Sequence, residues 1–240
     1  MSDCFRLFDE IKGIIFDFDG TLYDFSNLPQ NLIKSRFSDI FRIKADRDVR
    51  RELKGHDFGS PEAYFKSYYA GISKKTKNDE RFIRRWHKKI YTTLLRRVLR
   101  KFYKPYECVE EIFKLLESKE IKTAIYSDYF DVEGRMRALG LSKHICKNIY
   151  SAEMFGALKP SIRPFLHIAN DLKLNPNEIL VIGDRDDTDG KGAFDAGMKF
   201  LRIASKRSRK EDIETKKQND MLFATMEWND FCKQIKNFYA

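Results

Sequence analysis

Two aspartates spaced two residues apart follow an apolar run near the start of the sequence. Asp17 and Asp19 precede Gly20 and Thr21, where we expect the chain to turn and both carboxylates to converge on one point. Carboxylates can act as nucleophiles or exchange protons with a substrate. The pattern Asp-x-Asp-Gly also begins calcium loops, but the residues after Gly20 lack the further oxygen ligands and the terminal glutamate of such a loop.

A second acidic cluster follows another apolar run, at residues 179–182. From Asp184 to Asp189 the chain carries four carboxylates and one hydroxyl. An exposed acidic turn is one interpretation. However, so many carboxylates directly after a buried run make a poor structural turn unless a cation neutralises them. A hard cation such as Mg²⁺ prefers oxygen ligands of this kind. The cluster therefore predicts a magnesium site.

Ser127 and Lys159 could complete a phosphate site. Ser127 ends an apolar run and offers a hydroxyl and backbone N–H groups to a phosphate oxygen. Lys159 precedes Pro160 and a helical pattern, and can supply a positive charge near the same place. Either residue alone would be ordinary. Together with the two acidic groups they indicate phosphate chemistry at the ends of successive strands.

Apolar runs alternate with amphipathic helical patterns over most of the chain. The runs predict strands at 12–18, 121–127, 147–151, 178–183, 199–204 and 221–224. The helical patterns cover 106–118, 132–139, 161–172, 189–196 and 228–238, and the polar segment 205–219 predicts a surface loop. Continuously apolar strands are typical of a parallel sheet buried on both faces. We therefore predict an α/β fold with a doubly wound parallel sheet, which binds ligands at the carboxyl ends of its strands.

The segment after the first strand breaks this alternation. Residues 23–104 show helical spacing only, with a break at Gly55, Gly59 and Pro61 and a polar turn expected at 71–79. We predict an all-helical cap over 23–104, inserted into a core formed by 1–22 and 105–240. Residues 22–104 contain 22 basic and 9 acidic residues, a net charge of +13 against −3 for the remainder. Such a surface attracts a nucleic acid or a small phosphorylated substrate.

The motifs, in this order, closely resemble those of the haloacid dehalogenase superfamily. The matching residues are Asp17-x-Asp19-Gly20-Thr21, then Ser127, then Lys159-Pro160, and finally Asp184 and Asp189 followed by Gly-Ala-x-x-Ala-Gly-Met at 192–198. The resemblance covers about 12–30 and 104–197. It implies a Rossmann-like core, and the inserted segment is similar to the family's C1-type cap.

The resemblance also implies a mechanism. Asp17 would attack phosphorus and form an aspartyl-phosphate, and Asp19 would protonate the leaving oxygen and later deprotonate the attacking water. The side chains of Asp17 and Asp184 and the backbone carbonyl of Asp19 would bind Mg²⁺. Asp189 would support this metal site without binding the metal directly, either by contacting the metal's ligands or through a water molecule.

Ser127 and Lys159 would bind the transferring phosphoryl oxygens. Within the family, an aspartate at position 19 favours phosphatases and phosphomutases over dehalogenases. We expect a phosphatase that hydrolyses a small phosphorylated metabolite. One alternative is a phosphomutase, which would release little free phosphate. Another is a nucleic-acid-binding protein without turnover, against which the intact catalytic set argues. A receiver-type signalling domain has no room for an insert of this length.

Further features bear on location and partners. No apolar run approaches the roughly 20 residues of a membrane-spanning helix, and the amino terminus does not resemble a signal peptide. Because Cys4, Cys108, Cys146 and Cys232 show no C-x-x-C pairing, we expect neither a zinc site nor disulfides. We expect a cytoplasmic protein with a small phosphorylated substrate and no membrane or nucleic-acid partner. The sequence defines neither the natural substrate nor the oligomeric state.

Overall fold

A seven-stranded sheet organises the chain in the computed structural model, which describes residues 7–142, 144–204, 216–218 and 221–239. The sheet has the strand order β3-β2-β1-β4-β5-β7-β6, in which six strands are parallel and β6 is antiparallel to β7. The strands are β1 (Gly13–Phe16), β2 (Lys122–Ser127), β3 (Asn148–Ser151), β4 (Ile179–Gly183), β5 (Lys199–Ile203), β6 (Lys216–Gln218) and β7 (Met221–Met226).

Helices cover both faces of the sheet and form the segment between β1 and β2. They are α1 (Leu28–Ser35), α2 (Ile40–Glu52), α3 (Pro61–Thr76), α4 (Glu80–Trp86), α5 (Thr92–Phe102), α6 (Val109–Ser118), α7 (Val132–Leu139), α8 (Ala152–Phe155), α9 (Ile162–Leu172), α10 (Lys191–Asp195) and α11 (Trp228–Tyr239). The predicted α/β fold with a doubly wound parallel sheet and a helical cap is confirmed.

The central strands are apolar throughout because both of their faces are buried. On β1, Ile14 and Phe16 join a core cluster with residues of α6 and α11, whereas Ile15 joins a second cluster with residues of α9. The same alternation occurs along β4. A strand covered on both sides has no position for a polar residue, which explains the continuous apolar runs in the sequence.

The winding of the chain creates a crevice at β1. This strand pairs with β2 on one side and β4 on the other, and the chain then proceeds outward in both directions. Such a reversal of strand order leaves space outside the carboxyl ends of the strands, where ligands bind in open α/β sheets. The loops that follow β1, β2 and β4 therefore face one another.

The helical segment has the break predicted before Pro61, but the turn predicted at 71–79 is shorter than expected. Helix α3 begins where expected, with Pro61 in its first turn and the Ser60 hydroxyl accepting from the Ala63 N–H at 3.2 Å. It continues to Thr76, so a turn starting at Gly71 is wrong. A Cβ at Gly71 would lie 3.0 Å from Val49 of α2, so this glycine permits close packing of two helices.

A strap formed by residues 54–60 connects the helical segment to the loop before α9. The Gly55 N–H donates to the Lys159 carbonyl at 3.1 Å, and the Phe58 N–H donates to the Gly156 carbonyl at 2.8 Å. The Leu158 N–H donates in the opposite direction, to the His56 carbonyl at 3.1 Å. This short ladder holds part of the helical segment directly beside Lys159.

The expectation that the chain has no disulfides is wrong for one pair of cysteines. Cys108, before α6, and Cys232, in α11, form a disulfide with a Cα–Cα separation of 6.7 Å, and Cys146 is free and buried. The two helices pack side by side on one face of the sheet, although 124 residues separate the two cysteines. The cysteine pattern therefore no longer supports the predicted cytoplasmic location. Within the described ranges, every helix is too short or too polar to cross a bilayer.

The predicted surface loop 205–219 lies mostly outside the described residues. Its residues 216–218 form strand β6, which pairs with β7. Here the expectation of a loop is wrong.

Gly156 gives a test of the strap. A Cβ at Gly156 would lie 2.1 Å from the Ser60 carbonyl oxygen, whereas a Cβ at Gly140 would have no atom within 4 Å. Both glycines have a positive φ, so alanine at either position should cost about 1 kcal/mol through backbone strain. We expect Gly156→Ala to lower the free energy of unfolding by about 2 kcal/mol more than Gly140→Ala because of the clash, as measured in urea. Equal losses would show that the strap is not held against this loop.

Candidate active site

Asp17 lies directly beyond β1, with its carboxylate fixed by two donors. Its backbone N–H continues the sheet by donating to the Ile182 carbonyl at 2.7 Å. Its Oδ1 accepts from the Lys159 Nζ at 2.7 Å, and its Oδ2 accepts from the Thr21 hydroxyl at 2.9 Å. The side chain is buried, and the two donors fix the orientation of its carboxylate.

Lys159 is the cation at the centre of the site. Its Nζ donates to Asp17 Oδ1 and Asp189 Oδ1, both at 2.7 Å, and to the Tyr126 carbonyl at 2.9 Å. Burial alone would lower the pKa of Lys159, but the carboxylates of Asp17 and Asp189 raise it well above its usual value. The ammonium therefore remains charged and is shared between two carboxylates.

Three carboxylates meet around this lysine. Asp17, Asp184 and Asp189 each place a carboxylate oxygen within 4.8 Å of the others. Gly20 allows this approach, since a Cβ there would lie only 2.4 Å from Asp184 Oδ2. Burial, together with the charges of Asp189 and Asp19, raises the pKa of Asp17 to about 7, although Lys159 opposes the shift. Burial and the charge of Asp17 raise the pKa of Asp184 well above its usual value.

The cluster fits a divalent cation. When all three carboxylates are ionised they exceed the single charge of Lys159 by two, and their mutual repulsion adds to burial, the largest cause of the raised pKa values of Asp17 and Asp184. The ligand atoms that this cluster offers are all carboxylate oxygens, the type that hard cations bind.

Asp19 lies next to this cluster but its side chain turns toward β2. Its Oδ2 accepts from the Ser127 hydroxyl at 2.7 Å, and its Oδ1 accepts from the Tyr23 hydroxyl at 2.6 Å. The guanidinium of Arg135 donates from Nη1 to both oxygens, at 2.5 and 2.6 Å. Asp19 and Arg135 thus form a buried ion pair beside the three-carboxylate cluster.

The structure brings all the predicted site residues to one edge of the sheet. Asp17, Lys159 and Asp189 are in direct contact, with Asp184 beside them, and Ser127 contacts Asp19. The two acidic residues that the sequence left without a role lie at the rim of the site. Asp186 pairs with Arg202, and Asp187 pairs with Arg185 and with Lys54 of the strap.

The sequence interpretation missed Arg135. This residue is 1% exposed and its Nη2 also donates to the Ser127 hydroxyl at 2.8 Å. A signal was present, because Arg135 lies three residues after Val132 and four before Leu139, on the apolar face of the predicted helix. A buried arginine requires an acidic or carbonyl partner.

The sheet topology together with this site defines the class of protein: an α/β enzyme with an acidic, lysine-centred site at the switch point of its sheet. Residues 11–197 match the haloacid dehalogenase-like hydrolases. The chain belongs to this family, as the sequence predicted.

Individual relatives span nearly the whole chain. It is 24% identical over 222 residues to a glyceraldehyde 3-phosphate phosphatase of Methanopyrus kandleri, with 88% of this chain and 91% of the relative covered. It is 23% identical over 240 residues to a glyceraldehyde 3-phosphate phosphatase of Methanocaldococcus jannaschii, with 94% and 99% covered. The crystal structure of a 2-haloacid dehalogenase from Pseudomonas syringae pv. Tomato DC3000 superposes with a TM-score of 0.65 at 16% identity, covering 96% of this chain and all of that one. At this identity the superposition shows the shared fold alone.

The raised pKa of Asp17 predicts how stability depends on pH. Between its ordinary value of 3.8 and about 7, the folded chain holds more protons at this carboxyl than the unfolded chain does. This residue therefore makes the free energy of unfolding fall as pH rises through that range. A divalent cation needs the ionised carboxylates, so it should raise the melting temperature more at pH 7.5 than at pH 5.

Thermal unfolding in EDTA and in excess Mg²⁺, at several pH values, measures both effects. In Asp17→Asn, the free energy of unfolding should fall less as pH rises, and Mg²⁺ should raise the melting temperature less. A cation effect that is equal at pH 5 and pH 7.5 would contradict this description of the cluster.

Proposed function

We propose that this hydrolase is a Mg²⁺-dependent phosphatase that cleaves a small phosphate monoester through an aspartyl-phosphate on Asp17. The class of enzyme expected from the sequence, a phosphatase of this family, is confirmed by the family match and by the two phosphatase relatives. The observation that carries the finer proposal is the contact of Asp17 with Lys159, inside a cluster of carboxylates that fits a divalent cation.

Asp17 is the proposed nucleophile. Lys159 and Thr21 hold its carboxylate from two sides, which directs one oxygen toward a phosphoryl group in the crevice. That oxygen forms a bond to phosphorus while the bond from phosphorus to the ester oxygen breaks. Water then attacks the same phosphorus, which releases inorganic phosphate and restores the carboxylate.

The proposed metal ligands are the side chains of Asp17 and Asp184 and the backbone carbonyl of Asp19. Mg²⁺ bound there would reduce the repulsion between the phosphoryl group and the attacking carboxylate. Asp189 fits a supporting role, because its Oδ1 is occupied by the Lys159 ammonium at 2.7 Å. Lys159 therefore has two proposed tasks, which are to orient these carboxylates and to bind a phosphoryl oxygen.

Asp19 and Ser127 form the other half of the proposed site. Asp19 would give a proton to the leaving oxygen in the first step and take one from water in the second. Ser127 would donate its hydroxyl hydrogen to a phosphoryl oxygen, although in this structure that hydroxyl donates to Asp19 Oδ2 at 2.7 Å.

We propose residues 23–104 as the cap that closes over this site, with core segments at 1–22 and 105–240. The chain enters and leaves this segment through adjacent linkers, since Tyr23 pairs with Pro105 and the Tyr106 N–H donates to the Leu22 carbonyl at 2.9 Å. Paired linkers of this kind are suited to act as a hinge. The positive charge of the segment suits an anionic substrate, and Lys54 already reaches the rim of the site.

We propose a small phosphorylated metabolite as the substrate, a class to which glyceraldehyde 3-phosphate, named for both relatives, belongs. The cytoplasm remains the location that we propose from the sequence, and the Cys108–Cys232 disulfide is the observation that opposes it. A count of free thiols in protein isolated under non-reducing conditions tests it, because the described disulfide would leave Cys108 and Cys232 unreactive.

The nucleophile is tested by Asp17→Asn in a phosphate-release assay with a panel of phosphorylated metabolites. The amide oxygen is a poor nucleophile, so we expect kcat to fall by more than about a thousandfold. Asp186→Asn is the matched control, because Asp186 lies at the rim and pairs with Arg202. It should retain most of the activity, and EDTA should abolish the activity of the unaltered chain.

Activity that survives in Asp17→Asn would overturn the assignment of the nucleophile. Conversion of a sugar phosphate to its isomer with little free phosphate would instead identify a phosphomutase.

A further inference from the structure

The Asp19 carboxylate is held by more donors than an acid–base group needs. Four hydrogen bonds from three side chains reach its two oxygens, from Tyr23 to Oδ1, from Ser127 to Oδ2 and from Arg135 to both. A carboxylate with all these bonds in place has little capacity left for a leaving-group oxygen. At least one donor must therefore leave before Asp19 can serve the reaction.

Arg135 is the one of these donors that cannot move. Its Nε donates to the Phe130 carbonyl and its Nη2 to the Tyr129 carbonyl, both at 2.9 Å. Its guanidinium carbon lies 4.8 Å from the centre of the Phe18 ring. With all three nitrogens bonded and the side chain buried, the guanidinium has a single available position.

Ser127 is the donor that can move. Its hydroxyl has one hydrogen, which points to Asp19 Oδ2, and its oxygen accepts from Arg135 Nη2 at 2.8 Å and from the Tyr129 N–H at 3.0 Å. Rotation about the Cβ–Oγ bond can redirect that hydrogen, at the expense of one of the two bonds that the oxygen accepts, because the hydrogen and both lone pairs turn together. A phosphoryl oxygen beside Ser127 would compete directly with Asp19 for it.

We propose that Arg135 is a positioning residue that holds Asp19 and Ser127 in register, so that phosphate binding at Ser127 releases Asp19 for the leaving group. The proposal rests on the proposed phosphatase function. No covalent bond changes in this step, since the Ser127 O–H only rotates from Asp19 to the phosphoryl oxygen. Arg135 then keeps the plane of the Asp19 carboxylate fixed through the two bonds from Nη1, while Oδ2 gains a free direction in which it takes a proton from solvent and passes it to the leaving oxygen.

The test compares two substrates that differ in their need for a proton. The leaving oxygen of glycerol phosphate must be protonated, whereas p-nitrophenyl phosphate releases a stable anion. If Arg135 positions Asp19, Arg135→Gln should lower kcat about a hundredfold for glycerol phosphate and less than tenfold for p-nitrophenyl phosphate. Arg135→Lys keeps the charge but not the fork, so its kcat should lie between those of Arg135→Gln and the unaltered chain, with the same preference for p-nitrophenyl phosphate.

Arg137→Gln is the matched control. Arg137 lies on the same helix, is more than half exposed and, among the described residues, forms its ion pair with Glu133, so activity on both substrates should be unchanged. A double-mutant cycle adds a second readout. In Asp19→Asn, the further change Arg135→Gln should have almost no effect on glycerol phosphate turnover, because both changes remove the same function.

Equal losses on the two substrates, or losses that multiply in the double variant, would overturn the proposal. If Arg135→Gln does not fold, Arg135→Lys gives the same comparison, and circular dichroism together with competitive inhibition by inorganic phosphate checks that its site is intact. The outcome is separate from that of the nucleophile test. Arg135 can prove to be merely structural while Asp17→Asn still abolishes turnover.

Discussion

The interaction on which the site depends is the sharing of one buried ammonium, that of Lys159, between Asp17 and Asp189. Buried carboxylates without a cation would take up protons or force water into the crevice. Lys159 comes from the loop between α8 and α9, Asp17 follows β1, and Asp189 follows β4. Their convergence is possible only because β1 lies between β2 and β4 and all these strands end at the same edge.

The strap places the helical segment in direct reach of this interaction. Its ladder bonds the carbonyl of Lys159 itself, and Lys54 pairs with Asp187 on the loop that carries the second acidic cluster. A second attachment lies on the other side, where Arg96 of α5 pairs with Asp131 at the start of α7. Movement of the helical segment would therefore displace Lys159 through the strap, and residues near Arg135 through α7. The two halves of the site therefore contact different parts of the same segment.

The sequence was sufficient for the six parallel strands and for the residues at their ends, because apolar runs and the groups that follow them are local features; it missed the antiparallel strand β6. Asp17, Ser127 and Asp184 could be placed in this way, and Lys159 through its motif. Contacts between distant segments of the chain could not be predicted in this way. Arg135 meets Asp19 across 116 residues and Cys108 meets Cys232 across 124, and one sequence does not say which buried cation or thiol finds which partner. Gly71 was misread for a related reason, because its neighbour Val49 belongs to another helix.

The two halves of the site differ in charge, and this difference indicates which half could hold a metal ion. Asp19 and Arg135 balance each other, so their half neither needs a cation nor repels an anionic phosphoryl group. The half around Lys159 has three carboxylates for one ammonium, and the pKa of Asp17 is raised by burial first and then by the neighbouring carboxylates. A divalent cation bound there would remove the excess charge of the second half without disturbing the first. The phosphoryl group would then lie between a cation-bound carboxylate that attacks it and a neutral pair that serves its leaving oxygen.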